Sequence, residues 1–132
     1  MVDDRNGSGD NYMGEDSGTY FEHVGDFVHK HLVHIVNRKA NNRDTFWCPQ
    51  WWKHPEAMER LTALWLTWEQ SREDPAAISV WWRDHLDYHL PVLMSSTGSF
   101  RYCENGKHDG SRYEKDALKV EDYPENLFRF LK

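Results

Sequence analysis

The sequence predicts a mainly α-helical small domain with three helices, a short β-hairpin and a C-terminal helical turn. Three observations predict it. Apolar residues recur at spacings of three and four along three stretches, Pro stands at the start of two of them, and strand-like alternation is confined to a few residues around Phe100. The chain has 132 residues, enough for one domain with a real core and too few for two.

Residues 1–18 contain five acidic residues, one Arg, four Gly and almost nothing apolar. Such a segment buries too little surface to offset its ordering entropy, so it reads as a disordered, acidic, Gly-rich tail ahead of a single domain over residues 19–132. The tail also carries most of the formal net charge of -6, which leaves the domain near neutrality.

The first helix is expected over residues 19–38. Thr19 and Glu22 have capping-box spacing, and Phe21, Val24, Val28, Leu32 and Ile35 share one side of a helical wheel. A polar connection with Arg38, Lys39 and Arg43 follows, then an irregular aromatic segment around Trp47, Cys48, Trp51 and Trp52. The second helix opens at Pro55, with Glu56 in the favourable first turn, and runs to about Arg72 with Met58, Leu61, Leu64, Trp65 and Trp68 inward. Asp74 then caps a third helix that begins at Pro75 and reaches about Leu90, where Pro91 ends or kinks it. Ser95 to Gly98 is a turn, and alternation from Ser99 to Cys103 with a tight-turn Asn105-Gly106 predicts a hairpin between Phe100 and Arg112. Pro124 starts a last helical turn whose Leu127, Phe128 and Leu131 face the domain.

No run approaches the ~18 apolar residues of a membrane span, and the N-terminus lacks the basic end and apolar stretch of a signal peptide, so the expected location is cytoplasmic. A near-neutral domain disfavours general binding to a phosphate backbone, which requires clustered Lys and Arg.

Eight His and two Cys carry the main chemical signal. On a regular third helix, Ile78, Trp82, His85 and His89 fall within about 60° of one another, so both imidazoles face inward, one turn apart. Two ring nitrogens at this spacing can serve one cation, and Cys48 and Cys103 would complete a Cys48, His85, His89, Cys103 set, the composition of a closed structural zinc site. His54 and His108 are substitute ligands, each close in sequence to one Cys. The competing readings are hydrogen-bonded core histidines with two ordinary apolar cysteines, or a Cys48–Cys103 disulfide, which cytosolic redox conditions disfavour.

A non-enzymatic role is expected. The residue after His85 is Leu where a zinc protease carries its Glu base, Asp87 lies on the opposite side, and four protein ligands leave no open position for a metal-dependent hydrolase. Phosphate-binding and dinucleotide loops are absent from the sequence. In each Trp doublet adjacent side chains point 100° apart, so one member of each is expected outside the core. Trp51, Trp81 and Arg83 are the predicted protein-contact residues, since exposed Trp beside Arg is typical of interface hot spots. The alternative is a nucleic-acid-binding accessory protein using Arg38, Lys39 and Arg43 with Trp stacking. The partner and oligomeric state do not follow from the pattern.

Phe46-Trp47-Cys48-x-x-Trp51-Trp52-x-His54-Pro55-Glu56-Ala57, Leu64-Trp65-x-x-Trp68-Glu69, Ser79-x-Trp81-Trp82-Arg83-Asp84-His85-x-Asp87-x-His89 and Gly98-x-Phe100-x-x-Cys103 resemble an uncharacterised family of small Trp-rich actinobacterial proteins, domain of unknown function 4913. The resemblance covers residues 20–132 and excludes the tail. It implies that Cys48, His54, His85, His89 and Cys103 belong to a family pattern, which strengthens the zinc expectation. It also implies an accessory role in a plasmid, phage or conjugative element. The family carries no assigned catalytic residues.

Overall fold

A computed structural model describes residues 18–129. The acidic tail predicted over residues 1–18, apart from Gly18, lies outside the described residues, as does Leu131. Three helical rods form the body, and irregular segments on either side of the second and third rods carry the cysteines.

The first rod consists of α1 (Val24–Phe27), a π-helical stretch (Val28–Leu32) and α2 (Val33–Ile35). It begins later than the Thr19 capping box predicts, because the preceding amides are taken elsewhere. Tyr20 and Phe21 donate their backbone N–H groups to the Glu69 carboxylate at 2.8 and 2.9 Å, and Thr19 donates its hydroxyl to the Phe21 carbonyl. His23 becomes the cap, its Nδ1 accepting from the Asp26 amide at 3.2 Å.

The second rod, α3 (Pro55–Ser71), follows the sequence closely. Pro55 occupies the first turn, Glu56 meets the positive end of the dipole, and Ala57, Leu61, Leu64 and Trp68 are buried. Met58 and Trp65 pack at the edge of the core rather than inside it.

The third rod contains α4 (Pro75–Val80), a second π-helical stretch (Trp81–Leu86) and α5 (Asp87–Met94). Asp74 caps it as expected, accepting from the Ala76 amide at 3.0 Å. The helix continues through Pro91 instead of ending at Leu90, since burial of Leu93 and Met94 on the following turn offsets the one hydrogen bond that Pro cannot make. The widened turn also changes which face is buried. Trp81 and Leu86, five residues apart, are both in the core, which a regular 3.6-residue turn does not allow and an i to i+5 turn does.

The rods meet around Phe27, Trp68 and Trp81, with Phe27 edge-on to Trp81 at 6.4 Å and tilted against Trp68 at 5.6 Å. An isolated antiparallel bridge, Thr45 to Ser95, and a hydrogen bond from the Phe46 amide to the Met94 carbonyl (2.8 Å) tie the first connection to the end of the third rod.

The predicted hairpin is not formed: the described residues contain no strand, and residues 99–112 fold as successive turns. The tight turn itself is present. Asn105 and Gly106 both have positive φ, 58° and 72°, and the Lys107 amide donates to the Glu104 carbonyl at 3.1 Å, a type I′ geometry. A short 3-10 turn (Tyr113–Asp116) follows. Near the C-terminus the Leu127 amide donates to the Pro124 carbonyl at 3.0 Å, so a turn starts there, yet Leu127 and Phe128 are exposed and do not face the domain. No described helix is long and apolar enough to cross a membrane.

Candidate metal centre

Cys48 precedes the 3-10 turn Trp51–Lys53, and His54 is the residue that caps α3. Cys103 and His108 stand on either side of the Asn105-Gly106 turn, which folds the backbone so that both side chains point the same way. The two segments meet. The ligand atoms of Cys48, His54, Cys103 and His108 all lie within 4.8 Å of one another. Cys48 Sγ is 3.3 Å from His108 Nδ1, and Cys103 Sγ is 3.5 Å from His54 Nε2 and 3.7 Å from His108 Nδ1. Both cysteines and His54 are buried, and both thiols are free, so the disulfide alternative is not realised.

The surroundings orient these donors. The Asp109 amide donates to Cys103 Sγ at 3.4 Å and the Tyr113 hydroxyl lies 3.6 Å from the same sulfur. The Ser99 backbone hydrogen-bonds the His54 ring, while Phe100 stands edge-on to it at 5.0 Å. Burial pushes the Cys48 thiol up to about 11, and the neighbouring Cys103 adds to the effect. Burial, then His108, holds His54 below the usual imidazole range, in the neutral form that can donate a lone pair. Two thiolates with two neutral imidazoles balance the charge of a divalent cation. The cluster can therefore hold a metal ion.

The site differs from the expected set in its histidines. His85, inside the π-helical stretch, and His89, in α5 after it, both lie outside this group. His89 instead pairs through Nδ1 with Arg60 Nη1 at 2.9 Å, with burial and that guanidinium keeping it neutral. His54 and His108 take their places. These are the substitute ligands that the two short Cys-to-His spacings mark, Cys48 to His54 and Cys103 to His108, each a pair that one loop can close.

The predicted contact tryptophans are also corrected. Trp51 is 3 % exposed and donates its indole N–H to His29 Nε2 at 3.0 Å, while Trp81 is 1 % exposed and donates to the Leu64 carbonyl and Thr67 hydroxyl. The outer member of the first doublet is Trp52, and Trp82 is partly buried. Arg83 is exposed as expected and pairs with its neighbour Asp84 at 2.8 Å. Arg38, Lys39 and Arg43 are on the surface, but Arg38 binds Asp87 at 2.6 Å.

A cleft of roughly 320 Å³ beside the centre has His54, His108, Lys53, Glu56 and Arg101 among its walls. Ser99 joins the centre to the rods, its hydroxyl donating to Glu56 Oε1 at 2.8 Å while Arg60 donates to Glu56 Oε2 at 2.9 Å.

No curated protein and no solved structure matches the chain. One family model does, over residues 21–122, a span that includes all four clustered side chains, and on that match the chain belongs to the family described as Domain of unknown function (DUF4913).

Proposed function

We propose that this protein is a non-enzymatic accessory or adaptor module whose irregular segments are clamped onto its helices by one structural zinc ion. The observation that carries the reading is the buried Cys48, His54, Cys103, His108 set. Around a tetrahedral zinc, with Zn–S about 2.3 Å and Zn–N about 2.0 Å, sulfur and nitrogen ligands stand about 3.5 Å apart. The sulfur-to-nitrogen separations of 3.3, 3.5 and 3.7 Å fit that figure. Two soft thiolates select zinc over magnesium or calcium, and four protein ligands leave no position for a reacting water. The exposed contact group on this reading is Trp52, beside His29 at 6.3 Å, and the cellular setting is a plasmid, phage or conjugative element.

Metal analysis of the purified native chain, joined to thermal melting with and without chelator, tests the clamp. One zinc per chain and a large chelator-induced fall in melting temperature are expected. His54→Ala and His108→Ala should each lose the metal on gel filtration, whereas His85→Ala and His89→Ala should retain it. Metal-free native protein that ignores chelator, or a metal that follows His85 and His89, overturns the reading.

A further inference from the structure

Two backbone groups and one phenol serve the sulfurs of the metal centre from outside. The Gln50 backbone hydrogen-bonds Cys48, and the Asp109 amide donates to Cys103 Sγ at 3.4 Å. The phenol is that of Tyr113, whose oxygen lies 3.6 Å from Cys103 Sγ. Among the described residues it is the one side chain beyond the four ligands that brings a hydrogen-bonding group to either sulfur.

The direction of that bond follows from its neighbours. The Tyr102 amide donates to the Tyr113 hydroxyl oxygen at 3.3 Å, so the oxygen accepts there and its own proton is left for the sulfur. A metal-bound Cys103 is a thiolate with no proton to give, so Tyr113 is the donor. The ring is fixed for this task from three sides. Tyr102 stands edge-on to it at 4.9 Å, His54 edge-on at 5.4 Å, and the Arg101 guanidinium lies over it at 4.7 Å. Arg101 is in turn held by the Gly98 carbonyl at 3.0 Å and by Asp116 at 2.8 Å. Asp116 closes the 3-10 turn that Tyr113 opens, and it also accepts from the Tyr102 hydroxyl.

We propose that Tyr113 is a positioning residue of the metal centre: its hydroxyl donates to the Cys103 thiolate while its ring backs His54, so one side chain orients two of the four ligands. The role rests on the zinc-clamp reading above. A hydrogen bond to a charged acceptor is stronger than one to a neutral group, so this donor favours the thiolate, the form that binds the metal, over the thiol. Partners of this kind change metal affinity by about 10–100-fold.

Tyr113→Phe removes one oxygen and keeps the ring contacts. On the full-length chain, competition with a chromophoric chelator should show zinc bound about 10–100-fold more weakly by this variant. In the cobalt(II)-loaded variant the thiolate-to-metal charge-transfer band should move to longer wavelength, because loss of the donor raises the energy of the sulfur lone pair. That readout reports on the sulfur itself rather than on the surrounding fold. Tyr102→Phe is the comparison: it takes a hydroxyl from Asp116 in the same turn, and that hydroxyl touches no sulfur. Its band and its zinc affinity should stay close to native. An unshifted band or native zinc affinity in Tyr113→Phe, or an equal shift in Tyr102→Phe, overturns the role of Tyr113 while the clamp stands. A native chain that takes up neither zinc nor cobalt overturns the clamp and this role together.

Discussion

His31 lies with its ring 4.6 Å from that of Trp68 and within 6 Å of Phe21 and Phe27. Burial lowers its pKa, Glu69 acts in the opposite direction, and His34 lowers it further. The folded state therefore holds His31 neutral where the unfolded chain, near 6.5, begins to take up a proton. Between those two values the unfolded state binds more protons, so stability rises with pH. The contribution is complete above the unfolded value and is lost as pH falls through the depressed one. Thermal melts at a series of pH values should accordingly show a shallower loss below about pH 6.5 for His31→Phe than for the native chain. Identical slopes would show that His31 takes up no linked proton. The same scale decides how much of the metal centre was legible. Both cysteines were evident from their rarity, but the histidines were chosen by helical spacing, and spacing along one element does not show what a second element brings to it. His54 comes from a helix cap and His108 from the far side of a tight turn, positions that the local Cys-to-His separations marked more directly than the helical wheel did.

Gly98 shows how an element outside the helices is held. A Cβ there would lie 2.3 Å from the Val92 carbonyl oxygen and 2.6 Å from that of Leu93, both backbone atoms at the end of the third rod. The turn from Ser95 to Gly98 can press this closely on the rod only because Gly lacks a side chain. Gly98→Ala must push the turn outward, carrying Ser99 and Phe100 with it, and should cost about 1–3 kcal/mol in denaturant unfolding. The displacement reaches the cluster through the Ser99 contact with His54, so the same variant should also bind zinc more weakly in competition with a chromophoric chelator. A variant with native stability and affinity would mean the turn has room to move. Among the elements, those with chemical punctuation were read well. Pro55, and Asp74 followed by Pro75, mark two helix starts because a fixed φ, a missing donor and a side-chain cap act locally. The π-helical stretches had no such mark. They arise where burying Trp81 together with Leu86 outweighs regular helix geometry, a tertiary preference that a wheel drawn at 100° per residue cannot express. The hairpin failed for a related reason: the Asn105-Gly106 turn forms, but the residues around it are committed to the cluster rather than to a ladder.

At the scale of the whole molecule there are two sources of order, and they are separable. The rods bury Phe27, Val28, Leu61, Leu64, Trp81, Leu86 and Leu93 almost completely, each worth about 1.5–3 kcal/mol of apolar transfer, and none of these residues belongs to the cluster. The segments around Cys48 and Cys103 have no helix or strand of their own beyond short turns. They rest on Phe100, Trp47 and the four-ligand cluster, with Trp47 edge-on to Phe100 at 5.3 Å. Without a cation the four side chains of the cluster no longer share a common partner. Chelation should therefore loosen the molecule unevenly. Hydrogen exchange monitored by mass spectrometry should rise strongly across residues 46–54 and 98–113 and in the first turn of α3, whose cap is His54, while the buried centres of α3 and the third rod stay protected. Near-ultraviolet circular dichroism should lose part of the signal from Trp47, while far-ultraviolet helicity changes little. Uniform exchange over all three rods after chelation would mean instead that the ion holds the entire domain together, and that the helices lack a self-sufficient core.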